Sequence, residues 1–101
     1  MIALPREQLA SFCRKWKIAE LALFGSVLRE DFGPDSDVDM LVTFEENANW
    51  GLFEHSEMEE EISQLLGKKV DLVSRRGIES SQNWIRKKEI LGNRERIYAT
   101  G

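Results

Sequence analysis

The 101-residue chain has little of the chemistry that builds cross-linked or thiolate-bound scaffolds: one cysteine and one histidine. A lone Cys13 excludes an internal disulfide and a zinc cluster made from thiolates, and it fits a reducing compartment. His55 has no second histidine or cysteine with which to share an ion, so it reads as a surface or partly packed side chain. No apolar run approaches the ~20 residues that span a bilayer. The segment Met1 to Arg6 also lacks a basic flank followed by a long apolar stretch. The expected location is therefore the cytoplasm, without membrane contact. Solenoid-spaced repeats and low-complexity tracts are missing too, which argues against a repeat protein or a disordered chain. A chain this short has no room for a large substrate domain and is expected to be one domain with a modest core.

What is present is a mix of 42% hydrophobic and 32% charged residues, normal for a globular protein. The net charge of −4 is unevenly spread: residues 1–64 carry five Lys/Arg and fourteen Asp/Glu, residues 65–101 nine and four. An acidic chain is poorly suited to neutralising a phosphate backbone, so no direct nucleic-acid binding is expected. The basic final third either folds back against an acidic helix or forms a docking surface.

Periodicity gives the order of elements. Leu9, Phe12, Cys13 and Trp16 recur at helical spacing after Pro5, predicting an amphipathic helix to about Lys17 in which Cys13 is a buried, inert thiol. Ile18 to Phe24 is a short apolar run stopped by Gly25, and is expected to be a buried strand. Ser26 can cap a short helix to about Asp31, followed by turn chemistry in Phe32-Gly33-Pro34-Asp35-Ser36. Asp37 to Phe44 alternates as a strand, with Asp37, Asp39, Leu41 and Thr43 on one face and Val38, Met40, Val42 and Phe44 on the other. Trp50, Phe53, Met58, Ile62, Leu65 and Leu66 are expected to line one side of a helix ending before Gly67, with Glu57, Glu59, Glu60 and Glu61 largely on its solvent side. In Lys69 to Val73, a third strand, Val70 and Leu72 share a face and Asp71 points to the other. Ser74 to Ser81 reads as a polar connection, Gln82 to Leu91 as a helix packed through Trp84, Ile85 and Leu91, and Arg94 to Tyr98 as a short final strand. The fold class is α+β: a small mixed β-sheet with helices packed on it.

Two features in this order carry chemistry. A strand followed by Gly25-Ser26 and a helix start is a sensible anion site, because free backbone N–H groups converge there and Gly25 allows close approach. Arg29, one turn on, could reach the same anion. The same Gly-Ser is equally a capped turn. Asp37 and Asp39 on one strand face repel each other unless a cation compensates, and hard oxygen ligands without histidine or thiolate favour Mg²⁺. The alternative is a solvated turn running into an exposed strand edge.

Gly25-Ser26, ten residues, then Asp37-Val38-Asp39 resembles the signature of the DNA polymerase β nucleotidyltransferase superfamily. The chain length, GSVLREDFGPDSDVDMLV and the later KKVDLVS resemble the minimal nucleotidyltransferase (MNT) family, the antitoxin half of HEPN/MNT toxin–antitoxin pairs. One departure is Glu30, where many relatives carry glycine. The resemblance implies a polymerase β-like nucleotidyltransferase fold, with Asp37, Asp39 and Asp71 as catalytic ligands of two Mg²⁺ ions. It assigns the β- and γ-phosphates of the substrate ATP to Gly25 and Ser26. The implied activity is transfer of AMP to a tyrosine of a cognate HEPN ribonuclease toxin, neutralising it, in a homodimer or hetero-oligomer. Two other readings stay open: a module that silences its toxin by docking alone, and a nucleotidyltransferase acting on a small molecule such as an antibiotic.

Overall fold

The structure is a computed structural model that describes residues 4–28, 33, 36–80 and 82–99, with Ser26, Val27 and Arg86 described in their backbone only. Helix α1 runs Arg6–Lys15 and strand β1 Ile18–Phe24, followed by a 3-10 turn at Gly25–Leu28. Strand β2 (Val38–Phe44), helix α2 (Leu52–Leu66) and strand β3 (Val70–Ser74) form a β-α-β unit. Helices α3 (Arg75–Glu79) and α4 (Trp84–Gly92) precede the last strand, β4 (Arg94–Ala99).

The strands make one sheet in the order β3-β2-β1-β4. β1 is antiparallel to both of its neighbours, and β2 and β3 are parallel, so the sheet is mixed as expected. The central strands are buried on both faces, which is why Leu21–Phe24 and Met40–Val42 are continuous apolar runs. On one face α1 and α2 pack Leu9, Phe12, Cys13, Met58 and Ile62 against Leu21, Leu23, Val38, Met40, Val70 and Leu72. On the other, Ile78 of α3 and Ile90 of α4 pack against Ala22, Phe24 and Leu41.

Several boundaries follow from capping. The Pro5 carbonyl accepts from Leu9 N (2.9 Å), so the proline needs no donor where it sits at the start of α1. Gly67 closes α2 in the left-handed conformation (φ 69°). The expected turn at residues 32–36 is seen where it is described: Gly33 N donates to Ser36 Oγ and Ser36 N to the Gly33 carbonyl.

Four expectations are corrected. Phe53 is 87% exposed, because at ~100° per residue it lies about 140° round α2 from Met58 and misses the inward stripe. Trp50 precedes α2 and packs edge-on against Trp16, ring centroids 5.3 Å apart, with its Nε1 donating to the Trp16 carbonyl (2.7 Å). Trp84 and Ile85 are 66% and 71% exposed, while Ile90 and Leu91 are the residues that seat α4. Residues 74–81 hold a short helix: the Ser74 hydroxyl accepts from Gly77 N (3.0 Å), Arg75 pairs with Glu79 (2.9 Å), and Ile78 is buried. From the basic final third, Arg75 pairs with Glu79 and Arg96 approaches Glu20 of β1 at 4.0 Å, whereas Glu61 of α2 pairs with Lys15 of α1.

Candidate active site

Side-chain alternation in β2 and β3 is fixed by the core. Val38, Met40, Val70 and Leu72 are locked under α1 and α2. Asp39 and Asp71 must therefore project from the opposite face, the one α3 and α4 cover further along the strands. The parallel register places Asp39 directly beside Asp71. Asp37 stands just before β2, two residues from Asp39, where Val38 N donates to the Lys69 carbonyl (2.9 Å) and joins the starts of the two strands. Asp39 is half-buried, while Asp37 and Asp71 are exposed. The register thus gathers the backbones of all three aspartates at one end of the sheet. Their side chains do not close into a cluster: among the described residues no three His, Cys, Asp or Glu groups are placed to hold an ion.

On its other side Asp39 pairs with Phe24, the residue before Gly25. Gly25 has φ +75°, and a Cβ there would stand 2.6 Å from Asp39 Oδ2. The turn backbone therefore lies directly against the carboxylate, at a separation that only glycine permits. The 3-10 turn begins at Gly25 itself, one residue before the expected cap. Ser26 is in this turn by its backbone, and its side chain is outside the described set. Arg29 and Glu30 lie outside the described residues altogether.

The segment carrying Asp71 is held by three residues of α2: Glu59, expected on its solvent side, His55, expected at the surface or partly packed, and Ser63, for which the sequence carried no expectation. Ser63 Oγ accepts from Val70 N (2.9 Å), Glu59 Oε2 accepts from Leu72 N (2.8 Å), and His55 Nε2 donates to the Leu72 carbonyl (2.8 Å). Spaced four apart on α2, these side chains satisfy the outer edge of β3. That spacing of polar residues is the signal that could have found them. Cys13 is buried as expected, and burial pushes its thiol from the ordinary 9.0 up to about 12. A crevice of about 770 Å³, lined by Thr43, Trp50, His55 and Arg76 among others, lies at the carboxyl ends of β2 and β3, away from the aspartates.

A mixed four-stranded sheet that presents paired carboxylates beside a glycine turn defines a nucleotidyltransferase-type domain. The chain belongs to the nucleotidyltransferase domain family, which it matches over residues 5–97. It is 41% identical over 66 residues to the protein adenylyltransferase MntA of Thermococcus cleftensis, covering 65% of either chain, so it spans about two thirds of that relative's length. A solved structure of a candidate minimal nucleotidyltransferase is 34% identical and superposes with a TM-score of 0.66 over 92% of this chain and 87% of its own. The fold is also shared, at 20% identity and a TM-score of 0.65, with a structure of a tri-AMPylated Shewanella oneidensis HEPN toxin in complex with MNT antitoxin, over 94% of this chain and 70% of that one.

Proposed function

We propose that this chain is a protein adenylyltransferase that transfers AMP from ATP to a tyrosine hydroxyl of a HEPN-type toxin. The observation that carries the reading is the contact of the Gly25 turn with Asp39, itself in register with Asp71. That arrangement sets an anion-binding backbone beside adjacent carboxylates, the pairing that a metal–triphosphate substrate requires. The named activity of the Thermococcus relative and the AMPylated toxin bound to the Shewanella antitoxin support the donor and the partner.

The donor set fits Mg²⁺. Asp37, Asp39 and Asp71 all offer hard oxygen donors at one end of the sheet, and a cation beside the adjacent Asp39 and Asp71 would offset the repulsion between like charges. These three residues would hold the metal. Bound Mg²⁺ supplies charge neutralisation at the triphosphate and at the attacking and leaving oxygens. Gly25 would let the β- and γ-phosphates approach the backbone, and Ser26 and Arg29 are the further donors that the sequence spacing offers to that anion. Asp71, exposed at the edge of the row, would accept the proton of the acceptor hydroxyl. The new bond joins the acceptor oxygen to the α-phosphorus, and the bond broken releases pyrophosphate.

The test is labelling of a HEPN-type toxin with α-labelled ATP and Mg²⁺ by the wild type and by Asp37→Asn and Asp39→Asn. Each variant should lower the labelling rate by at least about a hundredfold, the scale of losing transition-state charge stabilisation. If the wild type labels nothing yet silences the toxin as well as both variants do, docking and not transfer is the function.

A further inference from the structure

We infer that Arg94 is a binding residue for the terminal phosphates of the nucleoside triphosphate, an inference that rests on the reading of the Gly25 turn given above. Arg94 opens β4 and pairs with Phe24, Phe24 pairs with Asp39, and Asp39 pairs with Asp71. Paired residues share a sheet face, so these four form one row across all four strands, on the face that carries the carboxylates. The row has a polarity. Carboxylates occupy the β3 and β2 positions, the Gly25 turn leaves from the β1 position, and a guanidinium ends it at β4.

The 3-10 turn packs against β4 as well as against β1 and β2, which brings the proposed phosphate cradle alongside the strand that Arg94 begins. Arg94 is half-buried, and its Nη1 is fully buried without a hydrogen-bond partner. Among the described residues it makes no ion pair, unlike Arg75, which is held by Glu79. A guanidinium stays charged at any pH the protein meets, and burying one of its donors unpaired is unfavourable. An anion arriving on this face would satisfy it. The fork geometry suits a phosphate, and the place of Arg94 beyond the turn, farthest from Asp71, selects the pyrophosphate end of the substrate over the α-phosphate.

Titration calorimetry in Mg²⁺ with ATP, pyrophosphate and AMP, on the wild type, Arg94→Ala and Arg94→Lys, tests this. Arg94→Ala should weaken ATP and pyrophosphate by about tenfold to a hundredfold, the scale of a lost charge-assisted hydrogen bond, and leave AMP unchanged. Arg94→Lys should recover part of the loss, and because it retains the charge it serves if the alanine variant does not fold. Wild-type binding of ATP with no change in either variant overturns the role of Arg94 alone. An equal loss for AMP and ATP overturns its assignment to the terminal phosphates. Failure of the wild type to bind ATP or pyrophosphate overturns both this inference and the reading beneath it.

Discussion

At the scale of single residues, Gly25 is the most constrained position in the proposed site. Two independent restraints meet there: a left-handed φ of +75° and an Asp39 oxygen 2.6 Å from where a Cβ would go. Gly25→Ala should lose stability by about 1–2 kcal/mol from backbone strain alone, with the contact adding to it. Pairing it with Asp39→Ala removes the contact and leaves the strain, so a denaturant double-mutant cycle should show positive coupling of at least ~0.5 kcal/mol between the two sites. Additive effects would mean that the turn does not lean on the carboxylate. Cys13 gives a second residue-scale expectation. Its thiol is held protonated to about pH 12 in the fold against an ordinary value of 9.0, so the folded state binds the proton more tightly than the unfolded chain. That contribution is complete below about pH 9 and disappears as pH rises toward 12. Unfolding midpoints measured from pH 8 upward should fall with pH, and Cys13→Ala should flatten that slope.

At the scale of elements, the edge of β3 depends on α2. Removing the Glu59 carboxylate leaves Leu72 N without an acceptor, and Glu59→Ala should cost about 1–3 kcal/mol. The loss should be local: amide hydrogen exchange at Leu72 should rise above that of Leu23, which lies in the middle of the sheet. Unchanged protection at Leu72 would show that water or a neighbouring group replaces the glutamate. Elements were also where the sequence was most and least readable. Ile18–Phe24 appears with the expected bounds because an uninterrupted apolar run ended by glycine has few other solutions. The alternation of β2 and β3 put Asp39 and Asp71 on one face, as the register has them, since a period of two survives any choice of neighbour, whereas Asp37 falls just before β2. Phe53, Trp84 and Ile85 were misassigned because composition marks them as core, whereas the start and rotation of each helix decide what it buries. α3 escaped detection as five residues containing a glycine, held by a Ser74 cap and one buried isoleucine. The clamp on β3 and the position of Arg94 depend on which strands become neighbours, a long-range outcome that local patterning does not carry.

At the scale of the whole molecule, the sheet has a division of labour along its strands. On the face bearing the aspartates, α3 and α4 pack against Ala22, Phe24 and Leu41, while Asp37 and Asp71 stay exposed at the starts of β2 and β3. In the proposed transfer, the exposed Asp37 and Asp71 would face the acceptor.

The α2 side chains that seal β3 have one further consequence, for how copies of this protein can stack. With the β3 flank occupied by His55, Glu59 and Ser63, the other edge strand is β4, where a new strand would have to be added. Two copies meeting through β4 would use up both open flanks and close on themselves as a pair. With one flank sealed, edge addition between copies would stop at a pair, so the hydrogen bonds that steady Asp71 would also oppose fibre growth.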